Sequence, residues 1–344
     1  LFIGTIDDKS KYSFTHEKIL TTPKLFNVVK LISLQKDNVR SVSLEVSSHA
    51  LDQNRLGNLK FLVSGFTNLS QDHLDYHGSI DNYLNSKAKL FQKGVSEKFV
   101  YIESPESMQI VTSSNIESFS IGTKRYNDVS YTILDEKKLN LTIDGNQFEC
   151  QLHLTGPKYI ENFLLAFSMA YYSNLFELEE LIERSKYIKN PPGRFETIVS
   201  KNKTVVIDYA HTPGAIKAVI KYAQNKYEKV NVILGAGGDR DKGKRIKMGE
   251  AASIADYIII TNDNPRNEDP LEISKNIIEG VPLNKRTDVI LDRKEAIYKG
   301  VQSIKENEVL LVLGKGHEKF QEINNKFIPF DDVQIAKEIM ELEI

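Results

Sequence analysis

Three short polar clusters in the last third of the chain contain residue types that bind charged small molecules. They lie at residues 238–245 (GDRDKGKR), 263–266 (DNPR) and 314–318 (GKGHE). Arginine binds a carboxylate through two parallel hydrogen bonds, whereas aspartate and glutamate accept hydrogen bonds from ammonium groups. Arginines and carboxylates in one site therefore indicate a zwitterionic ligand, and a free amino acid fits that description.

An apolar run precedes each of these clusters. The runs at 230–234, 257–260 and 309–313 are short, rich in β-branched and aliphatic residues and bounded by Gly or Asp, as buried strands of a parallel sheet are. Ligands of open α/β sheets bind outside the carboxyl ends of such strands. We therefore predict that the three clusters form one active-site rim.

The first half of the chain alternates strand-like runs with helical stretches, which favours a βαβ organisation. The runs at 39–46 and 61–68 predict strands that end in polar tips, and the apolar spacing at 83–91 and 160–172 predicts helices. The fold class predicted from this pattern is α/β.

Two further stretches shape the domain organisation. Alternation over 118–149, with turn residues at 124–127 and 144–146, predicts antiparallel strands. The sequence Asn190-Pro191-Pro192-Gly193 interrupts all periodicity before strands and helices resume. We place a domain boundary there, which gives domains at 1–191 and 192–344.

The composition is that of an ordinary folded protein and excludes several classes. The 344 residues are 27% charged with a formal net charge of −2, which argues against a general nucleic-acid or membrane-surface binder. The single cysteine, Cys150, excludes an internal disulfide. No apolar stretch approaches the roughly 20 residues of a membrane span. We expect a cytoplasmic monomer that acts on small molecules, with no nucleic-acid or membrane partner.

The polar motifs, taken in order, carry a family resemblance. They are 21–23 (TTP), 45–51 (EVSSHAL), 67–69 (TNL), 72–78 (DHLDYHG), 87–91 (KAKLF), 193–196 (GRFE), 208–213 (DYAHTP) and the three clusters above. On these motifs the chain resembles the Mur ligase family of peptidoglycan synthesis. In that family Asp-Asn-Pro-Arg is the signature of members that recognise meso-diaminopimelate, and lysine-adding members usually differ at its last position.

The resemblance implies a reaction and a fold. The reaction is ATP-dependent addition of meso-diaminopimelate to UDP-N-acetylmuramoyl-L-alanyl-D-glutamate through an acyl phosphate, with Mg²⁺ as cofactor and ATP as co-substrate. The fold is a parallel-sheet central ATPase domain, related to P-loop NTPases, at 1–191 and a Rossmann-like C-terminal domain at 192–344. The chain opens on an apolar strand-like run at 1–6 and contains no G-x-x-x-x-G-K-[ST] pattern. We expect that the P-loop segment belongs upstream and that these residues alone are inactive.

The resemblance also implies roles for single residues. Glu45 and His73 match the metal ligands, and Lys87 matches the lysine that reacts with carbon dioxide to become a carbamate. The residues that match substrate contacts are Thr21, Thr22, Ser47, Gln53 and Arg55 for the UDP-linked dipeptide; Asn162, Arg194 and Asp208 for ATP; and Arg240, Asp263, Asn264, Pro265, Arg266, Gly314 and Glu318 for diaminopimelate. Arg266 would bind the distal carboxylate, which lysine lacks, and Glu318 the distal ammonium.

Taken singly, each motif has an ordinary structural interpretation. Asp-Asn-Pro-Arg can be a plain turn, and Lys87 can belong to a solvated helix face. The ordered set of motifs favours a ligase site instead. Two alternatives stay open, which are a lysine-adding or other amino-acid ligase of the same superfamily and a non-catalytic binding module.

Overall fold

The computed structural model describes residues 1–4, 20–35, 39–70 and 72–342. These residues form two compact units, which are described separately. The first unit comprises Leu1–Leu69, His77–Leu154 and Lys158–Lys189, and the second comprises Ser70–Tyr76, Thr155–Pro157 and Asn190–Ile344. Of the predicted opening strand at 1–6, Thr5 and Ile6 lie outside the described residues.

A mixed sheet forms the centre of the first unit. In the described part of this unit, β3 to β8 lie side by side in chain order, parallel from β3 to β6 and antiparallel from β6 to β8, while β1 pairs with β2 in parallel. The strands are β1 (Phe2–Ile3), β2 (Ser43–Leu44), β3 (Phe61–Phe66), β4 (Ser96–Ile102), β5 (Glu117–Gly122), β6 (Val129–Asp135), β7 (Lys138–Ile143) and β8 (Asn146–Gln151).

Helix α6 covers much of this sheet. Its residues Phe163, Leu164 and Phe167 recur at helical spacing and join the buried cluster that contains Val100 and Leu141 of the strands. In the described residues up to Ser185, the helices are α1 (Leu25–Gln35), α2 (Ser48–Asp52), α3 (Leu74–His77), α4 (Ile80–Ala88), α5 (Pro105–Ser114), α6 (Tyr159–Tyr172) and α7 (Leu178–Ser185), with a 3₁₀ turn at Lys89–Phe91 after α4. The predicted helices at 83–91 and 160–172 correspond to α4 with its 3₁₀ turn and to α6.

Two sequence predictions about strands are wrong in part. Among the described residues, the run at 39–46 forms only the two-residue strand β2, in which Ser43 pairs with Phe2 and Leu44 with Ile3. The segment between β5 and β6 is not a hairpin, since the two strands pair in parallel. Asp128, the residue before β6, accepts hydrogen bonds at Oδ2 from Ser120 N at 2.7 Å and Ser120 Oγ at 2.8 Å. These bonds hold the start of β6 next to β5.

A second sheet forms the centre of the second unit. Among the described residues its strand order is β13-β12-β11-β14-β10-β9, parallel except for β9, and β15 and β16 form a separate hairpin. The strands are β9 (Glu196–Ser200), β10 (Lys203–Asp208), β11 (Lys229–Leu234), β12 (Tyr257–Ile260), β13 (Thr287–Val289), β14 (Glu308–Leu313), β15 (Phe320–Ile323) and β16 (Lys326–Pro329). The three predicted strands that precede the polar clusters are therefore confirmed as β11, β12 and β14.

Helices cover both faces of the second sheet, which explains why its central strands are apolar on both sides. Val206, Val232 and Leu311 face the helices α8, α9 and α10, whereas Val205 and Ile233 face α11 and α12. These helices are α8 (Pro213–Gln224), α9 (Gly243–Ala252), α10 (Pro270–Ile278), α11 (Arg293–Ser303) and α12 (Asp332–Leu342). The predicted α/β class is confirmed.

Candidate active site

The three polar clusters meet at the carboxyl ends of β11, β12 and β14. These strands are neighbours in the second sheet, and each cluster begins within a few residues of its strand. Gly238 N donates to Asn264 O at 2.9 Å, and Asn264 Nδ2 donates to Glu318 Oε2 at 2.8 Å. One residue from each cluster is thus linked by hydrogen bonds, as the strand arrangement predicts.

Two glycines allow the loops to approach this closely. A Cβ atom at Gly238 would overlap the carbonyl oxygen of Pro265, and one at Gly314 would overlap the carboxylate of Asp263. Gly314 also has φ = +110°, a conformation that side chains strongly disfavour. The predicted site residues Asp263, Pro265 and Gly314 are therefore packed against one another or against the adjoining loop.

Arg266 is held in place before any ligand is considered. Its Nε donates to Glu322 Oε2 at 2.8 Å and its NH1 to Gly238 O at 2.7 Å. Its backbone N also donates to Glu322 O at 2.9 Å. Glu322 lies on β15, and no sequence motif singled it out. The predicted contact residue Arg240 is exposed instead and donates to Asp239 O at 3.1 Å.

An ion pair joins the first cluster to Glu268, two residues after the second cluster. The guanidinium of Arg245, which is 1% exposed, donates to Glu268 Oε1 at 2.9 Å and Oε2 at 3.0 Å. Glu268 also accepts from Asp239 N at 2.6 Å and approaches Lys242 Nζ at 3.2 Å. The hydrogen bonds from Arg245 lower the pKa of Glu268 to about 2 against the opposing effect of burial. Sequence reasoning missed this pair, because a charge run such as 242–245 is usually solvated.

Lys315 is a further residue that sequence reasoning left without a role. It is fully buried, and its Nζ donates to Asn264 Oδ1 and Glu318 Oε2, both at 3.0 Å. Both acceptors are predicted site residues. Its position inside the Gly-Lys-Gly-His-Glu cluster is the sequence feature that could have indicated a role in the site.

Asp208 and Arg194, predicted for ATP, lie beside this rim. Asp208 ends β10, the neighbour of β14, and accepts from Phe195 N at 2.7 Å and Ala210 N at 2.8 Å. Burial raises the pKa of Asp208 in spite of these two hydrogen bonds. The Arg194 guanidinium carbon stands 4.4 Å from the centre of the Tyr209 ring. Asn162, the third predicted ATP contact, is exposed on α6 of the first unit.

A charged cluster surrounds Asp72, in the segment that belongs to the second unit. Its carboxylate lies 3.2 Å from Lys244 Nζ, 3.4 Å from His211 Nε2 and 3.6 Å from His73 Nε2. Burial opposes ionisation of Asp72, yet the His211 hydrogen bond and the Lys244 charge hold the pKa of this carboxyl well below its usual range. Burial also lowers the pKa of His73.

The two predicted metal ligands belong to different units. His73 lies in the second unit, whereas Glu45 is exposed directly after β2 in the first. In the part of the chain that the structure describes, no group of three or more His, Cys, Asp or Glu side chains is arranged to hold a metal ion. Lys87 lies in the last turn of α4, half-buried, with Nζ 5.0 Å from the centre of the Tyr83 ring.

The residues predicted to bind the nucleotide-linked dipeptide come together in the first unit. The buried Thr22 donates from Oγ1 to Glu45 O at 2.8 Å and accepts from Ser47 N at 2.9 Å. Arg55 NH1 donates to Thr22 O at 3.2 Å, and its Nε and NH2 donate to Gln53 Oε1 at 2.8 and 2.6 Å. Thr21 is half-buried next to this cluster in the chain.

Among the described residues, no helix has the length and apolar character needed to cross a membrane.

Comparison with known proteins places these units in one family. Residues 2–170 match the Mur ligase middle domain, and residues 193–316 match the Mur ligase glutamate ligase domain. The UDP-N-acetylmuramoyl-L-alanyl-D-glutamate–2,6-diaminopimelate ligase of Aquifex aeolicus is 38% identical over 98% of this chain and 71% of its own length.

Comparison with solved structures gives the same family assignment. A structure of a UDP-N-acetylmuramoyl-L-alanyl-D-glutamate–2,6-diaminopimelate ligase matches with a TM-score of 0.60 and 31% identity, over 94% of this chain and 69% of that one. Folylpolyglutamate synthase of Mycobacterium tuberculosis, in complex with ADP and AMPPCP, matches with a TM-score of 0.66 and 17% identity over 84% of this chain and 69% of that one, which indicates a shared fold. The chain belongs to the Mur ligase family of ATP-dependent amide-forming ligases.

Proposed function

We propose that this chain adds meso-diaminopimelate to UDP-N-acetylmuramoyl-L-alanyl-D-glutamate at the expense of ATP, in the synthesis of peptidoglycan precursors. The observation that carries the proposal is the rim at the ends of β11, β12 and β14, where Arg266, Asn264 and Glu318 lie on connected loops. The proposal is also supported by relatives of that name that match nearly the whole chain.

The distal end of diaminopimelate carries a carboxylate and an ammonium group, which call for opposite charges in the protein. Arg266 is a fixed guanidinium, since Nε and NH1 already have acceptors, and it would bind the distal carboxylate of the substrate. Glu318 would accept the distal ammonium. Lysine lacks the distal carboxylate, so the remaining N–H donors of Arg266 would lose their ligand acceptor in a site closed to water, at a cost of about 1–3 kcal/mol. The amine site therefore favours diaminopimelate over lysine. Arg240, Asp263, Pro265 and Gly314 complete the proposed set.

The acyl side of the reaction would be bound by the first unit. Thr21, Thr22, Ser47, Gln53 and Arg55 offer hydroxyl, amide and guanidinium groups for carboxylate and phosphate oxygens. The carboxylate of the dipeptide attacks the γ-phosphorus of ATP, which releases ADP and forms an acyl phosphate. The amine of diaminopimelate then attacks the acyl carbon, loses a proton and expels phosphate. Asn162, Arg194 and Asp208 are the proposed ATP contacts.

Magnesium is the proposed cofactor. Mg²⁺ usually keeps several water ligands and binds one or two protein groups together with substrate phosphates. Glu45 and His73, which the family resemblance assigns as metal ligands, would offer one carboxylate and one imidazole to such a small donor set. When bound, the ion neutralises phosphate charge. The Lys87 carbamate is proposed to support it from the first unit.

The remaining parts of the proposal concern organisation. Residues 1–191 would form the central ATPase domain and residues 192–344 the Rossmann-like domain that binds the amine. We propose that the enzyme is a cytoplasmic monomer.

The test is phosphate release by the purified gene product with ATP, Mg²⁺ and the UDP-linked dipeptide. Turnover is expected with meso-diaminopimelate and not with L-lysine. Turnover with lysine would support a ligase but contradict the role assigned to Arg266. Absence of turnover with both amines would favour a non-catalytic binding module. Arg266→Ala should remove the preference between the two amines, and Arg125→Ala, on an exposed turn of the first unit, is the matched control.

A further inference from the structure

Lys315 is a buried cation whose two acceptors both belong to the proposed amine site. Its side chain is 0% exposed, and its Nζ donates to Asn264 Oδ1 and to Glu318 Oε2, each at 3.0 Å. A buried ammonium is costly unless it is paired and hydrogen-bonded. The surrounding loops therefore place these two acceptors where Lys315 needs them.

Lys315 also determines which way the Asn264 amide points. Two groups approach one atom of this amide, namely Lys315 Nζ and the backbone N of Glu322, both at 3.0 Å. Both can only donate, so the atom between them has to be the oxygen. The Asn264 NH₂ group is consequently turned toward Glu318, to which it donates at 2.8 Å.

The result is a carboxylate that is held by one oxygen only. Lys315 and Asn264 both donate to Oε2 of Glu318, and Oε1 accepts no hydrogen bond from the described residues. The Glu318 side chain is 23% exposed. One oxygen is thus anchored to the protein, and the other remains available to a ligand.

We propose that Lys315 is a positioning residue for recognition of the distal ammonium of the amine substrate. It fixes the rotamer of Glu318 directly through the hydrogen bond to Oε2 and indirectly through the Asn264 amide. A fixed acceptor loses less conformational freedom on binding, which favours ligands that carry a donor at the matching place. This inference rests on the proposed diaminopimelate activity, because it assigns the ammonium group to Glu318.

The test compares two amines that differ only in that ammonium. L-2-aminopimelate retains the distal carboxylate of diaminopimelate and lacks the distal amino group. In Lys315→Met, the preference for diaminopimelate over L-2-aminopimelate in kcat/KM is expected to fall about tenfold, as for loss of one charged hydrogen bond. The KM for ATP should stay within about twofold of the unsubstituted value. The matched control is Lys319→Met, which removes an exposed lysine paired with Asp331 and should change neither quantity.

A double substitution separates positioning from general support of the loop. If Lys315 acts through Glu318, then Glu318→Gln and the double variant Lys315→Met/Glu318→Gln should show the same amine preference. If Lys315→Met lowers kcat/KM equally for both amines, the preference is intact and Lys315 has only a structural role. That outcome would overturn this inference and leave the proposed function standing. Absence of turnover by the unsubstituted enzyme would overturn the proposed function and this inference with it.

A spectroscopic measurement covers the case in which Lys315→Met does not fold. In the unsubstituted protein labelled with ¹⁵N, the Nζ resonance of Lys315 should shift when diaminopimelate binds and shift much less with L-2-aminopimelate. Equal shifts with both amines would contradict the inference.

Discussion

Arg293 and Asp332 form a completely buried ion pair beneath the proposed amine site. Arg293 Nε lies 2.8 Å from Asp332 Oδ1 and NH2 lies 2.7 Å from Oδ2, and neither side chain is exposed. The same guanidinium donates to Leu313 O at 3.0 Å and Asn262 O at 3.2 Å. One side chain at the start of α11 therefore ties together the ends of β14 and β12, from which two of the three rim loops emerge.

The first prediction concerns this pair. Arg293→Met leaves the Asp332 carboxylate buried without its partner and two carbonyl groups without a donor. Breaking a buried pair in this way costs about 3–5 kcal/mol of unfolding free energy. Denaturant unfolding of the variant measures the loss. The control is Lys299→Met on the same helix, whose partner Asp288 is 40% exposed, so about 1 kcal/mol or less is expected there. Similar losses in both variants would contradict this account.

The second prediction concerns pH and Glu268. Its folded-state pKa is about 2, below the ordinary value of 4.5, so it stabilises the fold above pH 4.5. That contribution disappears as the pH falls from about 4.5 toward 2, because the unfolded state then binds the proton first. The unfolding free energy of Glu268→Gln should depend less steeply on pH in this window than that of the unsubstituted protein. Identical slopes would show that Glu268 titrates normally.

The third prediction concerns Lys87. If its carbamate supports the metal, Lys87→Ala should lose about 10–100-fold in kcat, as substitutions behind a metal site do, and added short carboxylates such as acetate should restore part of it. Steady-state phosphate release measures both effects. Lys89→Ala provides the control, since Lys89 is exposed two residues away and pairs with Asp52 at 3.1 Å. Full activity of Lys87→Ala without added carboxylate would exclude the role.

The fourth prediction concerns Asp208. Asp208→Ala removes the acceptor of two backbone N–H groups beside Arg194, and we expect the KM for ATP to rise about tenfold, far more than that for the amine. Asp256→Ala is the matched control, because Asp256 also accepts a backbone N–H, from Val230 at 2.8 Å, but at the amino-terminal end of β12. An equal rise in both KM values for Asp208→Ala would move this residue out of the nucleotide site.

Sequence patterns predicted the second sheet well and parts of the first less well. The strands β11, β12 and β14 are mostly apolar because helices cover both faces, and such runs can be recognised in the sequence. The parallel pairing of β5 with β6 was not predictable, since it depends on which partner strand the chain supplies. The proposed dipeptide set around Thr22 was predicted from the family resemblance, and the structure brings four of its members into contact.

The family, the apolar strands and the types of charged residue at the rim can be read from the sequence, because they depend on local composition and on the order of motifs. The pairing of the charges depends on the tertiary structure. Glu322 lies 56 residues after Arg266, and Asp332 lies 39 residues after Arg293. Hydrogen bonds act over about 3 Å of space and carry no fixed spacing along the chain. The supporting partners of the rim therefore became visible only when the strands had been placed side by side.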